Sequence, residues 1–365
     1  MDTTTTWLIL NMVRGIGPVH IKKLLEIYRD PIEILNSSEK IIPGILPPTV
    51  MDQLQNWKNL PWEKELENIQ SSGIQLISID NPLYPASLKQ IPDPPVILYI
   101  KGNIPDIPIS IAIVGTRNPS SYGIQMAEKF SVMLAGCGIC IISGMARGID
   151  SIAHKAALKM KTPTVAILGC GLATIYPPEN KNLAQAISET GALISEFPLN
   201  TLPEKFNFPR RNRIISGMSR AVVVIEAGLR SGALITAHLA VEQNKDVFVL
   251  PCDANRLTGK GNNLLIREGA CLVESPEEII EYMNLVPLES HPKKQVESIS
   301  EDLNLSDSDK LVYNAIKGRE LSIEEIQTLT GKNLPELAKI LTKLEIKGLI
   351  TCGPGKSYKD KTNKI

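Results

Sequence analysis

Short apolar runs recur between residues 109 and 285, and they constrain the fold more than any other feature of the chain. In order they are ISIAIVG, ICIISG, TVAILGCG, ALISEF, AVVVIEA, DVFVLPC and ACLVE. Most are continuous rather than alternating in polarity, which is typical of strands buried on both faces. Helical stretches such as YGIQMAEKFSVMLAGCG and GALITAHLAVEQNK separate most of them. This alternation predicts an α/β fold with a doubly wound, Rossmann-like parallel sheet.

The chain up to the end of the predicted sheet divides into a helical segment and the Rossmann-like domain. Residues 1–75 read as short helices, and the turn Gly15-Ile16-Gly17-Pro18 between the first two is typical of a helix-hairpin-helix (SAM-like) domain. The backbone amides of such a turn can hold a phosphate group. Residues 76–285 predict the Rossmann-like domain, which begins with a proline-rich connector and one strand, VILYI.

Two further segments follow the sheet. Residues 286–305 are polar and predict a linker. Residues 306–365 predict a winged-helix domain with a basic tail, in which Ser322 and Glu325 form a capping box at the start of the second helix. The third predicted helix mixes lysines with glutamates, so it does not resemble a strongly basic DNA-reading helix.

The overall charge restricts the partners that the chain can have. Its 365 residues include 39 basic and 39 acidic side chains, and 43% of the residues are hydrophobic. Because the charge is balanced, any nucleic-acid site must be a local patch. No apolar run reaches the ~18 residues of a membrane span, and the N-terminus lacks the basic segment of a secretory signal. We therefore expect no membrane span and a cytoplasmic location.

The cysteines and histidines form no pattern of metal binding or catalysis. Cys137 and Cys140 make a CxxC that ends a helix and enters a strand, and no second ligand pair stands at zinc spacing. The histidines form no arrangement with a nucleophile and an acid. We expect no metal, no cofactor and no catalytic residue in this chain.

The loops at the carboxyl ends of the predicted strands are rich in glycine and small polar residues. Ligands bind at these ends in open α/β sheets, and glycines let backbone amides approach a ligand closely. The loops read GTRNPSSYG, SGMARGIDSIAH and GCGLATIYPPEN, and Asp150 and Ser151 are candidate N-caps of the helix after the second loop. Ser231-Gly232, after the fifth strand, begins another helix with free amides. Together these segments predict an anion site that includes Gly115, Thr116, Arg117, Arg147, Gly169, Gly171, Ser231 and Gly232.

A basic stretch, KFNFPRRNRIISG (205–217), follows the fourth of these strands and should lie near the same edge. Arginine guanidinium groups suit phosphates, and aromatic rings beside them can stack on bases. The candidates here are Lys205, Phe208, Arg210, Arg211 and Asn212. Phe206 is an alternative ring, both rings are alternatively ordinary core, and Arg213 is alternatively the partner of an acid inside the fold. Several cationic points favour a polymer with repeating phosphates over a mononucleotide.

Signals for nucleotide-cleaving chemistry are weak. The fingerprint GxGxxG is absent after the first strand, and GPGKS (353–357) is not a Walker A motif because Ile350 occupies the glycine position. Glu226 and Glu242 are a possible carboxylate pair for sugar hydrolysis. The more ordinary interpretation of Glu242 is a solvated helix residue.

The motifs GTRNPSSYG, SGMARGIDSIAHKAAL, GCGLATIYPPEN, ISEFP, FPRRNRIISGMS and SGALITAHLAVEQNKDVFVLP occur in this order. Together they resemble the family of DNA-processing proteins called DprA or Smf. The resemblance covers residues 75–285 closely and the flanking segments more loosely.

This resemblance implies a protein that is not an enzyme. Members of the family bind and protect incoming single-stranded DNA, form homodimers, and load the RecA recombinase in natural transformation and homologous recombination. By the resemblance, Arg117, Arg210 and Arg211 contact phosphates. The residues that it implies for the lining of the pocket are Ser143, Gly144, Ala146 and Gly148.

The α/β segment is also similar to the LOG family of nucleoside-monophosphate phosphoribohydrolases. That family carries PGGxGTxxE, whereas this chain has AGLRSGALITAHLAVE at the corresponding place. The double glycine and the closely following glutamate are missing. A LOG-like hydrolase is therefore the alternative function rather than the first.

Overall fold

The computed structural model describes residues 1–37, 45–106, 108–285, 306–317, 319–347, 349–353 and 357–360. The chain divides into two compact units, Met1–Glu289 and Ser290–Ile365. The predicted linker 286–305 and the end of the predicted basic tail lie outside the described residues. The predicted domain boundaries stay predictions.

The described part of the first unit contains a nine-stranded sheet with the strand order β1-β2-β6-β5-β4-β3-β7-β8-β9. All pairs from β6 to β9 in this order are parallel. The strands are β1 (Gln75–Ser78), β2 (Ile97–Gly102), β3 (Ser110–Val114), β4 (Cys140–Ser143), β5 (Thr164–Ile167), β6 (Ala192–Ser195), β7 (Ala221–Val224), β8 (Asp246–Val249) and β9 (Cys271–Leu272). The predicted α/β fold with a doubly wound sheet is confirmed.

Helices cover both faces of this sheet. The helices of the first unit are α1 (Thr3–Met12), α2 (Pro18–Tyr28), α3 (Pro31–Asn36), α4 (Pro48–Gln55), α5 (Trp62–Ser71), α6 (Ala86–Lys89), α7 (Ser121–Gly136), α8 (Ile149–Lys159), α9 (Lys181–Thr190), α10 (Asn207–Gly217), α11 (Gly232–Glu242), α12 (Lys260–Arg267) and α13 (Pro276–Tyr282). Alternate residues of β7 belong to different cores. Val223 packs with α7 and α8, whereas Val222 packs with α10 and α11. Burial on both faces explains the continuous apolar runs.

Two antiparallel strands extend the sheet beyond the parallel part. β2 pairs with β6, and β1 pairs with β2, both antiparallel. The sequence predicted β2 from VILYI but placed no strand at β1. Residues 75–78 are only partly buried, so β1 lacks the long apolar run that identifies the central strands.

The strand order reverses between β3 and β7. From β3 the chain builds β4, β5 and β6 on one side, and it then returns to place β7 against the other side of β3. Loops that leave the carboxyl ends of two such neighbouring strands diverge and leave a crevice. The fold therefore places a candidate site at the ends of β3 and β7.

The helices α1 to α5 share their core with the sheet. Trp7, Leu24 and Leu54 belong to the same buried cluster as Ala166 of β5 and Leu193 of β6. Pro18 is the first residue of α2. Because the apolar contact is continuous, the N-terminal helices and the α/β part form one packed body within the first unit.

The described part of the second unit holds three helices and a three-stranded antiparallel sheet with the order β10-β12-β11. Its elements are α14 (Asp307–Ile316), β10 (Glu320–Ser322), α15 (Ile323–Thr330), α16 (Leu334–Ile346), β11 (Ile350–Cys352) and β12 (Ser357–Asp360). The predicted capping box is present, with Ser322 and Glu325 each accepting from the other's backbone N–H. The winged-helix assignment of this unit stays a prediction.

Across the described ranges, no helix is both long enough and apolar enough to cross a membrane. The cytoplasmic location stays a prediction.

A buried histidine lies between α8 and the sheet. The Nδ1 atom of His154 is 2.7 Å from Oγ1 of Thr164, whose hydroxyl donates to the carbonyl of Ile141 at 2.5 Å. Because Thr164 gives its only proton to that carbonyl, His154 donates through Nδ1–H. Its Nε2 has no hydrogen-bond partner within the described residues. Burial, with a smaller effect of Arg211, lowers the pKa of His154 to about 3.

The neutral His154 predicts a loss of stability in mild acid. The unfolded chain binds a proton at His154 below its ordinary pKa of 6.5, whereas the folded chain does so only near pH 3. The free energy of unfolding therefore falls as the pH falls through this window, by about 2 kcal/mol from pH 7 to pH 5 for this group. Urea unfolding at both pH values should show a smaller difference for His154→Gln. An identical difference in both proteins would contradict the assignment.

Candidate nucleic-acid interface

A cavity of about 870 Å³ opens at the carboxyl ends of β3 and β7. It brings together loops from both sides of the strand-order reversal. The predicted site residues that line it are Gly115, Thr116, Arg117, Ala146, Lys205, Phe208, Arg211, Asn212, Ser231 and Gly232. A small recess beside it is also lined by Gly144 and Arg147.

Five predicted residues lie outside the linings of the cavity and the recess. The hydroxyl of Ser143 donates to the carbonyl of Ile113 at 2.6 Å, and Ser143 is buried. The remaining predicted residues outside the linings are Gly148, Gly169, Gly171 and Arg210.

Three of these glycines allow close contact within the protein. A Cβ atom on Gly148, whose φ is +73°, would lie 2.4 Å from the carbonyl oxygen of Thr116. One on Gly171 would lie 2.1 Å from the carbonyl oxygen of Leu199, and one on Gly169 would meet the ring of Phe208 at 2.8 Å. These glycines let the loops pack on one another.

The loop after β3 is held in place by hydrogen bonds to Glu226, which follows the neighbouring strand β7. The backbone N–H of Thr116 donates to the carbonyl of Glu226 at 2.7 Å. The carboxylate of Glu226 accepts from the N–H of Ser120 at 2.8 Å and from the hydroxyl of Thr258 at 2.5 Å. Ser120 is the N-cap of α7, so this buried carboxylate lies where the helix dipole stabilises a negative charge. Glu226 thereby connects the loops that follow β3, β7 and β8.

The loop after β4 is held by hydrogen bonds to the carboxylate of Asp150. Asp150 was a candidate N-cap, but Gly148 is the N-cap of α8 and Asp150 lies inside the first turn. Its carboxylate accepts from the N–H groups of Gly144 and Ala146 at 3.2 and 3.3 Å. Burial raises the pKa of Asp150, and Arg211 together with the N–H donors opposes that rise. These amides are occupied by the protein's own anion.

Arg211 is a buried cation, only 4% exposed. Its Nη1 donates to the carbonyl of Gly144 at 2.7 Å and also to that of Ile167. Its Nε donates to the side chain of Asn212 at 3.2 Å. Burial lowers the pKa of Arg211 to about 10, so it stays charged at neutral pH. Arg211 thus joins the ends of β4 and β5 and borders the cavity from below.

Phe208 lies between cations and is half-buried. Its ring centroid is 5.6 Å from the guanidinium carbon of Arg117 and 5.9 Å from that of Arg211. The ring of Tyr176 packs against it, tilted, with 5.6 Å between centroids. Phe208 therefore supports Arg117 at the cavity wall by a cation–π contact. Phe206, in contrast, is 67% exposed.

The other two arginines of the stretch pair with one buried acid. Arg213 lies 2.6 Å from Glu196 and 2.9 Å from Asp93, and it is buried. The alternative in which Arg213 pairs with an acid inside the fold is the one observed. Arg210 is half-exposed, lies 3.4 Å from Glu196 and packs over the ring of Phe197 at 5.4 Å.

Three exposed cations around the cavity have no ion-pair partner within the described residues: Arg117, Lys205 and Arg230. All three line the cavity. Arg147, in contrast, is paired with Glu179. The sequence analysis did not select Arg230, although it directly precedes Ser231, the N-cap of α11. Its position between the end of β7 and a helix start was the available signal.

The geometry gives little support to hydrolysis. Both carboxylate oxygens of Glu226 accept hydrogen bonds from the protein. Glu242 is exposed at the last residue of α11, whereas the residues of this helix that line the cavity lie within Gly232–Thr236 at its other end. In the described part of the chain, no cluster of three or more histidine, cysteine or acidic side chains is placed to hold a metal ion.

Comparison with known proteins points to one family. The family model described as DNA recombination-mediator protein A matches residues 75–284. Protein Smf of Synechocystis is 33% identical, over 96% of this chain and 97% of the relative. The crystal structure of DprA from Streptococcus pneumoniae has a TM-score of 0.66 at 32% identity, and the match covers 77% of this chain and 98% of that one. A structure of DprA from Helicobacter pylori, described for its single-stranded DNA binding mode, has a TM-score of 0.52 at 33% identity and covers 57% and 96%.

The contacts of Arg211 predict that its replacement destabilises the protein more than replacement of Arg210. Arg211→Ala removes the donor from two buried carbonyls and leaves Asp150 without a nearby cation, so the free energy of unfolding should fall by about 3–5 kcal/mol. Arg210→Ala is the matched control, because its side chain is 47% exposed and should contribute less than about 1 kcal/mol. Denaturant unfolding followed by circular dichroism measures both. Equal small losses would contradict the buried role of Arg211.

Proposed function

Because the chain belongs to the DNA recombination-mediator protein A family, with the DprA and Smf proteins, we propose that it binds single-stranded DNA across the cavity between β3 and β7. The observation that carries this proposal is the set of three exposed cations, Arg117, Lys205 and Arg230, around one cavity. The single-stranded DNA binding mode of the Helicobacter pylori relative supports it.

The cations suit a phosphodiester backbone. Arg117 and Arg230 can each make two parallel hydrogen bonds to a phosphate, and Lys205 supplies a point charge. The buried charge of Arg211 lies close beneath and adds to the positive potential of the wall, partly offset by Asp150. A mononucleotide needs one such position, whereas cations on several loops fit successive phosphates of a strand.

Exposed apolar side chains beside the cations favour a single strand over a duplex. Phe206 stands next to Lys205, and Leu229 stands next to Arg230; both are largely exposed, as is Leu257 on the cavity wall. A single strand has unstacked bases that can cover such side chains. A duplex keeps its bases in its own stack and presents mainly phosphates.

The remaining predicted contacts would act after small rearrangements or at a distance. The exposed pair of Arg147 with Glu179 is weak enough for a phosphate to replace the carboxylate. Arg210 keeps half of its side chain exposed and can reach a strand that leaves the cavity. Ser143, Gly169 and Gly171 would support the loops without touching DNA.

The finer role that we propose is that of a recombination mediator rather than an enzyme. The bound strand would be protected and passed to the RecA recombinase, by a homodimer acting in the cytoplasm during DNA uptake or another recombination task. The engaged carboxylate of Glu226 favours this reading over a LOG-like hydrolase.

The cations predict a change in salt dependence. Each phosphate contact on a single strand contributes about 0.7 to the slope of log affinity against log salt. Arg117→Ala, Lys205→Ala and Arg230→Ala should each reduce the slope by about 0.7 and weaken binding roughly tenfold. Fluorescence anisotropy of labelled oligo-dT, with unlabelled duplex as competitor, measures both quantities.

The matched control is Arg220→Ala, an exposed arginine just before β7 at the opposite end of the strand. It should keep the wild-type slope. Absence of binding by the wild type at low salt would refute the proposed function. Binding with unchanged slopes in all three variants would refute the site.

The mediator role predicts a gain in recombinase assembly. The wild type should speed the formation of RecA filaments on DNA that is already coated with a single-strand-binding protein. Arg117→Ala combined with Lys205→Ala should lose this gain, because the mediator must hold the strand that it transfers. Filament formation followed by ATP hydrolysis of RecA tests this, and acceleration by the double variant equal to wild type would argue against transfer from this cavity.

A further inference from the structure

The loop that carries Lys205 has no helix or strand of its own. Residues 196–206 connect β6 to α10. Such a loop keeps one conformation only if other groups satisfy its backbone. Its position decides where Lys205 stands, and it also leads into α10 with Phe208 and Arg211.

The N-terminal helices supply two of the groups that hold this loop. The carboxylate of Glu65, in α5, accepts from the backbone N–H of Leu199 at 2.6 Å. The side chain of Asn11, in α1, donates to the carbonyl of Glu196 at 3.0 Å. The side chain of Leu199 is itself buried in the core cluster of the N-terminal helices. The opposite side of the loop is held by the N–H of Gly171, which donates to Thr201.

Glu65 is unusual for a position of this kind. It is only 6% exposed, and burial of a carboxylate is costly unless the charge serves a partner. Its hydrogen bond to Leu199 is short and charge-assisted, which is the strong kind. The carboxylate accepts a hydrogen bond from one backbone amide of the loop, and it also lies close to the buried hydroxyl of Tyr99, whose pKa it helps to raise.

We infer that Glu65 and Asn11 are positioning residues for the DNA site, through which the N-terminal helices set the placement of Lys205. Neither side chain lines the cavity. The inference rests on the proposed function, since it concerns how that site is held. The N-terminal helices then act on DNA affinity without touching DNA at these two residues.

Three variants of α5 separate this role from ordinary packing. Glu65→Ala removes the acceptor and should weaken oligo-dT binding about tenfold. Glu65→Gln keeps an acceptor oxygen and should restore most of the affinity. Glu63→Ala removes an exposed carboxylate from the same helix and should bind like wild type.

A double-mutant cycle provides the decisive measurement. If Glu65 acts through Lys205, Glu65→Ala should change binding less than about twofold in a Lys205→Ala background. In an Arg230→Ala background it should keep its full effect, because Arg230 stands on the loop after β7. Anisotropy with oligo-dT gives all the affinities, and unfolding midpoints show that each variant is folded.

The outcomes are distinguishable from those of the proposed function. No binding by the wild type refutes the function itself. If the wild type binds and Lys205→Ala weakens binding, a neutral Glu65→Ala overturns the inference alone. Equal effects of Glu65→Ala in both backgrounds also overturn it, since they indicate general destabilisation. Should Glu65→Ala fail to fold, Asn11→Ala takes its place in the same cycle, with the same coupling expected and the same results overturning it.

Discussion

The guanidinium of Arg211 is the interaction on which the geometry of the site depends. Parallel strands end in carbonyls that need donors once the strands diverge, and Arg211 supplies them to Gly144 and Ile167 at once. Asp150 balances the charge and holds the amides of the same loop. The ring of Phe208 makes cation–π contacts with Arg211 and with Arg117. Removal of one buried charge would therefore disturb the ends of both strands and the wall above them.

Neighbouring arginines in one turn of α10 make different contacts. Arg211 turns into the sheet edge, Arg213 turns towards Glu196 and Asp93, and Arg210 remains half in solvent. Arg213 pairs with two acids, and Asp150 partly offsets the charge of Arg211, so these two buried cations contribute more to order than to free charge. The charge available to a ligand comes from Arg117, Lys205 and Arg230, which lie on three separate loops. The charge available at the cavity is therefore smaller than the basic stretch 205–213 suggests, and more of it comes from isolated cations on other loops.

The fold was largely predictable because apolar strand-like runs and helical patterns alternate several times along the sequence. The strands β4, β5, β6 and β7 are buried along their whole length and are mostly apolar, whereas β1 is half-exposed and has no comparable run. The cavity lies at the sheet edge where the predicted loops were expected to meet, because parallel topology fixes where the loops emerge. The sequence could not assign Gly171 to contact with Leu199, or Arg211 to the interior, since both depend on partners distant in the chain. Arg230 was missed because its only signal is its position before a helix start, which is weaker than a run of basic residues.

The neutral charge of the chain explains why fixed loops matter more here than abundant charge. With 39 basic and 39 acidic side chains, the protein has little long-range attraction for a polyanion, and salt screens what remains beyond about 8–10 Å. Affinity must then come from contacts at hydrogen-bond distance, where an error of one ångström removes much of the benefit. Glu226, Asp150 and Glu196 are acids near the proposed DNA site, which would be unfavourable if charge alone decided. Each is buried and bonded to a loop or to an arginine, so its repulsion of DNA is the smaller effect and the order that it imposes is the larger one.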